Sequence, residues 1–345
     1  NSFYLFILII SIVAFFTAGC KVSEKTSLLP TVEDPKEYNN AELEKEPLPR
    51  GFPSPYTGTI VDKVFPVPFC VLVENHPSAR PQSGLKDAEL VYELPVEGGY
   101  TRFLAIYASP YEGEIGPVRS SRPYFAHLIK EHNGIMAHCG YSIHTEEVLK
   151  SIKLKYLDER FNPQYYRREK SRKMPHNLYT TLEKLWQGAE DKNFLEEEEK
   201  TIQPFFTFSD PPDQRQGELA KKIEINFSST DCAEYHWNAK GGYTRYHNGE
   251  PFGDAETKEE IAVSNIIVQF VQTRTLTAEG HLDISLVGEG KGFLFSGATV
   301  EEIKWKKESG QGKTIFGGAG GELLLSPGNT WIHLVPQGSK VNWSP

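Results

Sequence analysis

The chain has 345 residues, a formal net charge of −9 and 12% aromatic residues. Aromatic and hydrophobic content of this size supports folded cores and excludes a disordered chain, and the length suits two domains. The acidic balance argues against nucleic acid as a partner, because binding to phosphates needs a basic surface. The four cysteines form no CxxC pair, so neither a redox motif nor a zinc ribbon is predicted.

Residues 3–20 read FYLFILIISIVAFFTAGC, an apolar run that ends in small residues and Cys20. Such a run is short for a bilayer span, which needs roughly 17–25 residues, and small residues at a cut site are typical of a removable leader. We therefore predict a lipoprotein signal peptide over 1–19. Diacylated Cys20 would then anchor the protein in the lipid bilayer, on the extracytoplasmic face of the cell membrane. The alternative is an ordinary secretory signal with a chance cysteine.

Composition divides the rest of the chain into four segments. Residues 20–50 are polar, charged and rich in proline, which predicts a disordered tether. Residues 196–203 contain four consecutive glutamates and are interpreted as an acidic linker. Between and after these segments we predict two domains: an α+β domain over 51–195, with a mixed sheet and helices, and a mostly antiparallel β domain over 204–345.

The first domain alternates strand and helix signals. We predict strands over 70–73, 88–94 and 101–107, and a helix over 123–132 that begins at Pro123, where the missing N–H costs nothing. Two further helices are predicted over 145–152 and 178–187, and the second has a capping box formed by Thr180 and Glu183.

The second domain is dominated by strand signals separated by turn residues. Strands are predicted over the following segments: 223–227, 233–237, 243–246, 261–275, 282–287, 293–295, 299–306, 322–325 and 330–335. Glycine-rich stretches at 288–292 and 317–321 are interpreted as turns.

The strongest candidate for a functional site is the segment Gly116 to Pro123, GPVRSSRP. Arg119, Ser120 and Arg122 precede the predicted helix, and the free N–H groups at a helix N-terminus attract anions. Arginine forks also match phosphate or carboxylate groups. The alternative is that a serine caps the helix while the arginines pair with acids of the same domain.

A polar loop follows the predicted strand over 70–73 and contains Asn75, His76, Arg80 and Gln82. Polar side chains at a strand end commonly face a cleft, and His76 could act as an acid or base near neutral pH. A loop stabilised by its own hydrogen bonds is the alternative.

Glu93 and Glu97 flank Pro95 and are followed by Thr101 and Arg102. Paired carboxylates could perform acid–base chemistry, as in glycosidases. The spacing does not fix the separation of the two carboxylates. An ion pair between Glu97 and Arg102 or Arg119 explains the pattern equally well.

Four histidines, His127, His132, His138 and His144, crowd one stretch near Cys139. Their spacing lacks the i, i+4 pattern of a helical zinc motif, so no metal and no cofactor is predicted. A basic, aromatic loop then leads from Tyr165 to His176 and Asn177; it could close over a ligand or be a solvated connection.

After Cys20, three cysteines remain, Cys70, Cys139 and Cys232. They allow at most one disulfide, and the sequence does not decide whether it forms. GxSxG, Walker and GxGxxG patterns are missing from the sequence, so no common hydrolase or nucleotide-binding motif is present.

Several long motifs of the chain resemble the YerB-like lipoproteins, a mostly Gram-positive bacterial family of unknown function with an N-terminal and a C-terminal part. The motifs that carry the resemblance are ENH at 74–76, ARPQSGL at 79–85, VEGGYTRF at 96–103, GPVRSSR at 116–122, PHNLYT at 175–180, GYTR at 242–245 and SPGNTW at 326–331. The resemblance implies an α+β first domain and a strand-rich second one. It transfers no catalytic residue.

Two functions are compatible with these residues, and whether the protein is an enzyme is left open. The first is binding of an anionic cell-envelope ligand (a glycan, a cell-wall peptide or a phosphorylated polymer), and an envelope protein could be a further partner. We expect an Arg-rich cleft in the first domain, with these contacts: Asn75, His76, Arg80, Gln82, Glu97, Arg102, Arg119, Ser120, Arg122, His176 and Asn177. The alternative is an envelope hydrolase or transferase. In it, His76 or Glu97 serves as the acid–base group while Arg119 and Arg122 stabilise the developing negative charge.

Overall fold

The computed structural model describes residues 51–195, 203–209, 217–318 and 321–345. The predicted signal peptide, Cys20, the tether and nearly all of the acidic linker lie outside these ranges. No helix in the described part of the chain is long and apolar enough to cross a membrane.

The described residues of the first half form three helices and three short 3₁₀ turns. The helices are α1 Pro123–Glu131, α2 Ile143–Ile152 and α3 Leu182–Asp191, and the turns are Pro77–Ala79, Glu97–Gly99 and Pro163–Tyr165. The strands of this half are β1 Phe52–Pro53, β2 Ile60–Val61, β3 Phe69–Glu74, β4 Leu90–Pro95, β5 Thr101–Tyr107, β6 Glu114–Ile115, β7 Ile135–His138, β8 Tyr156–Asp158, β9 Arg167–Arg168 and β10 Leu178–Thr181.

The described residues of the second half form strands and no helix. These strands are β11 Thr207–Phe208, β12 Glu218–Leu219, β13 Lys222–Asn226, β14 Cys232–Trp237, β15 Tyr243–His247, β16 Glu250–Pro251, β17 Ala262–Val263, β18 Asn265–Val271, β19 Thr273–Thr275, β20 Leu282–Ile284, β21 Gly288–Ser296, β22 Thr299–Lys307, β23 Ile315–Gly318, β24 Gly321–Glu322, β25 Leu324–Leu325, β26 Thr330–Pro336 and β27 Val341–Ser344.

A twelve-stranded mixed sheet runs through the molecule in the order β24-β23-β22-β21-β18-β26-β4-β5-β3-β7-β8, with β12 added beside β22. Its two halves meet where β26 pairs with β4 in parallel, which places His333 beside Glu93. The sheet therefore contains strands from both sides of the predicted linker. The α+β class is confirmed, and so is the strand-rich character of the second half.

A second, antiparallel sheet has the order β16-β15-β14-β13-β27, and β17 also pairs with β15. Alternate residues of its strands are buried, as expected for a sheet with one face on the core. Tyr235 and Tyr243 share one hydrophobic cluster with Phe103, Val91 and Trp331 of the twelve-stranded sheet. The second sheet therefore packs on the central sheet beside the place where β26 meets β4.

Helix α1 packs on a second hydrophobic cluster of the central sheet. Phe125 and Ile129 of the helix are fully buried together with Leu72, Leu104 and Ile106 of the strands. Pro123 occupies the first turn of α1, as predicted, and Arg122 is the N-cap residue. No side chain hydrogen-bonds to this helix end, so the alternative interpretation of the segment, a cap by a serine, is not supported.

Two local predictions were wrong. Leu178 to Thr181 form strand β10, which pairs with β6 and β9, and α3 begins only at Leu182. Its cap is Thr181, whose hydroxyl accepts from the N–H of Lys184, rather than Thr180. The glycine-rich stretch at 288–292 is the first half of β21, because its backbone pairs with β22 from Lys307 onward.

Candidate functional site

Three arginines lie close together near the N-terminus of α1, and we call them the arginine cluster: Arg102, Arg119 and Arg122. Arg102 projects from β5, and Arg122 immediately precedes α1. Arg119 is held next to β3 by its N–H, which donates to the carbonyl of Leu72 at 2.8 Å. Burial lowers the pKa of Arg102 to about 10, and the positive charges of Arg122 and Arg119 contribute to this shift. Three of the four predicted arginines therefore share one electrostatic environment.

Arg122 forms a two-point ion pair with Glu97. Its Nε and Nη2 donate to the two carboxylate oxygens at 2.6 and 2.8 Å. The turn that presents Glu97 needs glycine, since Gly98 and Gly99 have φ of 76° and 78°, in the left-handed region. Burial by itself would raise the pKa of Glu97, but the charge and hydrogen bonds of Arg122 lower it below its usual value.

Glu74 joins Arg119 to a pair of histidines. Its Oε1 lies 2.9 Å from Nε of Arg119, although that N–H is not aligned for a hydrogen bond. Its Oε2 lies 2.9 Å from Nδ1 of His176. The ring of His176 stacks on His76 at 4.8 Å, and His76 contacts the exposed ring of Tyr100. Burial and the neighbouring His176 lower the pKa of His76, which favours its neutral form.

Arg102 is the exception in the cluster because it has no carboxylate partner among the described residues. It is 6% exposed, its Nη1 donates to the carbonyl of Ser120 at 2.6 Å, and its Nε is buried without a hydrogen bond. The cluster thus contains three guanidinium groups and two carboxylates, Glu74 and Glu97. The guanidinium groups therefore outnumber the carboxylates of the cluster by one, although the charge of Glu97 also favours the charged form of Arg102.

The predicted ligand contacts that are amides, Asn75, Gln82 and Asn177, form hydrogen bonds to the protein itself. Gln82 donates to the carbonyl of Glu74 at 2.8 Å, and Asn177 binds the carbonyls of Glu169 and Arg172 at 3.0 and 3.2 Å. Asn75 is fully buried and donates to Glu93 and Thr101. These amides orient the loops around the cluster, and their hydrogen bonds stay within the protein.

Arg80 contacts a different group of residues. Its Nε donates to Oδ1 of Asn75 at 3.0 Å, and its Nη2 lies 2.7 Å from Nε2 of His247 in the second half of the chain. It forms no ion pair with a carboxylate of the described residues.

A buried ion network, which we call the junction network, joins the two halves: Glu93, Asp231, Arg245, His247 and His333. Nη2 of Arg245 lies 2.8 Å from Oε2 of Glu93, and both side chains are completely buried. Nδ1 of His333 is 3.1 Å from the same oxygen. Burial by itself would raise the pKa of Glu93, but Arg245 and His333 lower it far below its usual range. Glu93 is therefore a structural anion, and its predicted role in a pair of catalytic carboxylates is not supported by these contacts.

Asp231 and His247 are members of the junction network that have incomplete hydrogen bonding and strongly shifted pKa values. Oδ1 of Asp231 and Nδ1 of His247 are buried and have no hydrogen-bond partner. Burial, reinforced by the charge of Glu93, raises the pKa of Asp231 to about 7. Burial and the charge of Arg245 lower the pKa of His247 to about 3. The His247 ring is therefore neutral at pH 7.

Glu93, Asp231 and His247 can each direct one ligand atom into a space in which these atoms lie within 4.8 Å of one another. The electrostatic surroundings do not suit a metal ion, however. Arg245 already pairs with Glu93, and Arg80 donates to Nε2 of His247. A divalent cation there would lie beside two guanidinium groups, so we assign no metal to this set.

His132 and His138, which are close together in the sequence, have different surroundings in the structure. His132 is buried between the hydroxyl groups of Tyr56 and Tyr92, at 3.2 and 2.9 Å. His138 is buried and contacts the carbonyl of Gly140 at 2.9 Å. Cys70, Cys139 and Cys232 are all free thiols, which answers the question of the disulfide.

The sequence analysis missed Arg245, Asp231, His247 and His333, although one signal was available for two of them. Side chains alternate between the faces of a strand, so Tyr243, Arg245 and His247 of β15 point to the same side. Tyr243 is fully buried, as are the two polar residues that share its side of the strand. The partner, Glu93, is distant in sequence and had no comparable signal.

The fold and these sites define a two-part α+β protein whose halves share one sheet and one buried ion network. Residues 56–195 match the "Protein of unknown function (DUF3048) N-terminal domain", and residues 223–332 match the corresponding "C-terminal domain". The chain belongs to this family.

Two similarities extend over most of the chain. A Bacillus subtilis (strain 168) protein named "Putative lipoprotein YerB" is 34% identical over 274 residues, which are 78% of this chain and 81% of that protein. The crystal structure of the YerB protein from Bacillus subtilis has a TM-score of 0.75 and 32% identity, and the match covers 84% of this chain and 99% of that chain. The predicted YerB-like resemblance is confirmed.

Proposed function

We propose that this protein is a lipoprotein anchored through Cys20 at the extracytoplasmic face of the cell membrane, where it binds an anionic cell-envelope ligand at the arginine cluster. Support for the anchor comes from the apolar leader that ends at Cys20 and from the name of the Bacillus subtilis relative. A lipid anchor would keep the folded part, beginning near residue 51, close to the polymers of the envelope.

The observation that carries the binding proposal is the missing counter-charge of Arg102. Burying a charged side chain without a partner is costly, and a protein that retains one commonly uses it to bind a charged ligand. The excess positive charge lies beside the N-terminus of α1, whose dipole also favours an anion. A phosphate or carboxylate of an envelope polymer would supply the missing charge.

The proposed contacts are Arg102, Arg119 and Arg122, with His76, His176 and the hydroxyl of Ser120 at the periphery. Glu74 and Glu97 would remain paired with Arg119 and Arg122, and they would hold the guanidinium groups in position. Asn75, Gln82 and Asn177 would act indirectly through the loops that they stabilise.

The test is retention of the purified protein by separated envelope fractions: glycan, wall peptide and phosphorylated polymer. The anionic fractions are expected to retain the wild type, and Arg119→Ala is expected to abolish retention. Lys291→Gln is the matched control, because it removes one positive charge from an exposed ion pair on β21. Equal retention of wild type and Arg119→Ala would refute the proposal.

One observation favours the alternative, an envelope hydrolase or transferase. His176 is within 2.9 Å of a carboxylate, Glu74, and remains partly exposed, so this pair has the geometry of a general base with its orienting acid. Glu97 is a poorer base, since Arg122 occupies both of its oxygens. Release of soluble products in the retention assay, abolished by His176→Ala, His76→Ala or Glu97→Gln, would establish the enzyme.

A further inference from the structure

A cleft at the boundary between the two halves has the composition of a second ligand site. Its volume is about 430 Å³, and the residues that line it include Pro77, Arg80, Pro81, His247, Pro251 and Phe252. Small-molecule sites commonly have volumes of about 300–1,000 Å³, with apolar walls and a few polar groups that orient the ligand. Three prolines and a phenylalanine supply such walls here.

Arg80 supplies the positive charge of this cleft. Its Nε and Nη2 are used by Asn75 and His247, whereas Nη1 makes no hydrogen bond to the described residues. Burial lowers the pKa of Arg80, but an arginine stays protonated at any physiological pH. The free nitrogen is therefore a charged donor without an acceptor.

His247 is a neutral neighbour of Arg80 in this cleft. A guanidinium can only donate, so Nε2 of His247 must accept from Arg80, and the ring proton must be on Nδ1. That nitrogen is buried without a partner, and the residue is only 3% exposed. The His247 ring therefore positions the guanidinium of Arg80 and is not itself counted as a ligand contact.

We propose that this cleft binds the terminal carboxylate of a short peptide, with the carboxylate on Nη1 of Arg80 and the last side chains against Pro77, Pro81, Pro251 and Phe252. A single carboxylate suits one guanidinium with one free nitrogen. A phosphate dianion suits it less well, because Glu250 also lines the cleft and would repel a second negative charge.

This site is separate from the arginine cluster, since none of Arg102, Arg119 and Arg122 lines the cleft. The two proposals can therefore fail independently. Together they would give the protein one site for an anionic group of the envelope and another for a peptide end.

The probes are N-acetyl-tri-alanine with a free carboxylate and the same peptide as its C-terminal amide, titrated into the isotopically labelled protein and followed by NMR. The free acid is expected to bind saturably, and the amide at least about tenfold more weakly, which corresponds to about 1.4 kcal/mol. Equal binding of acid and amide, or no binding of either, would overturn the proposal.

Variants locate the site. Arg80→Gln is expected to weaken binding of the free acid by about tenfold or more, whereas Arg119→Gln leaves it unchanged while lowering retention by anionic polymers. If Arg80→Gln does not fold, the exposed Pro251 decides the question. Pro251→Glu adds a negative charge to the cleft wall and is expected to weaken the acid but not the amide. Unchanged binding of the acid in the folded variants would place its site elsewhere.

Discussion

The arginine cluster and the junction network are two buried groups of charges that differ in their balance. In the junction network, Arg245 is matched by Glu93 at 2.8 Å and donates to the hydroxyl of Tyr235, although its Nε is buried without a hydrogen bond to the described residues, as is that of Arg102. In the arginine cluster, three arginines face two carboxylates, and Arg102 has no counter-ion among the described residues. A balanced buried network can serve the fold alone, whereas an unbalanced one is a candidate for binding.

The same comparison assigns different costs to mutations in the two regions. Removing one partner of a balanced pair leaves the other charge buried in the low-dielectric interior without a counter-ion. Removing the surplus charge of an unbalanced cluster relieves such a penalty. Stability should therefore suffer in the junction network, and ligand binding should suffer in the arginine cluster.

The largest effect is expected for Glu93→Gln. Loss of this carboxylate leaves the fully buried Arg245 without a counter-ion, which costs about 3–5 kcal/mol in the free energy of unfolding. The measurement is urea denaturation. Lys291→Gln, which breaks an exposed pair with Glu302, should cost less than about 1 kcal/mol.

A double variant tests whether the stability lost in Glu93→Gln comes from the unpaired charge of Arg245. Glu93→Leu combined with Arg245→Met removes both charges, and it should recover most of the stability lost by Glu93→Gln alone. If Glu93→Gln and Lys291→Gln have the same small effect, the junction network does not hold the halves together.

A smaller effect is expected for Arg102→Gln in the absence of ligand. Glutamine removes the unpaired charge and can still donate to the carbonyl of Ser120, so the free energy of unfolding should change by no more than about 1 kcal/mol in either direction. Thermal and urea denaturation measure it. A loss comparable to that of Glu93→Gln would mean that Arg102 has a structural counter-ion.

Opposite pH dependences are expected for two residues of the junction network. The pKa of Asp231 is raised from 3.8 to about 7, so its contribution to stability is present at acid pH and is lost as the pH rises to 7. The pKa of His247 is lowered from 6.5 to about 3, so its contribution is lost as the pH falls from 6.5. In the wild type the two trends oppose each other between about pH 4 and 6.5.

Single variants should separate these trends. Relative to the wild type, Asp231→Asn should gain stability as the pH rises towards 7, and His247→Asn should gain stability as the pH falls below 6.5. Urea denaturation across this pH range measures both differences. Parallel curves for wild type and variants would exclude the assigned pKa shifts.

The smallest effect concerns the thiols. Burial raises the pKa of Cys70 strongly, and burial with the neighbouring Glu234 raises that of Cys232 to about 11. Alkylation of the native protein at neutral pH should be slow at both, and slowest at Cys70. Asp231→Asn should accelerate Cys232 slightly, because Asp231 also contributes to the raised pKa. Rapid labelling of Cys70 would show that the core opens readily.

Local signals predicted the elements well where one principle dominated. Thr101–Tyr107 is a strand with the predicted bounds, and Pro123 begins α1. Leu178 to Thr181 misled the prediction because a helical pattern and an adjacent capping residue outweighed pairing with β6, which is distant in the chain, and with the two-residue strand β9. The glycines of β21 were misread because glycine usually indicates a turn, whereas here their backbone pairs with the adjacent strand β22.

The sequence identified the charged residues of the arginine cluster, but it did not show which residues form ion pairs. The GPVRSSR and VEGGYTR motifs supplied Arg102, Arg119 and Arg122, which the fold brings together. That Glu93 pairs with Arg245 could not be read from the sequence, since parallel pairing of β4 with β26 leaves no local trace. The contact between Arg80 and His247 could not be predicted either, because the two residues are 167 positions apart in the chain.

The most direct test of the central claim is the affinity of the purified protein for an isolated phosphorylated wall polymer, compared between Arg102→Gln and Lys291→Gln. Each variant changes the net charge of −9 by the same one unit. The unbalanced cluster predicts that Arg102→Gln binds at least about tenfold more weakly than wild type while Lys291→Gln binds like wild type. Equal affinity of the two variants would contradict it.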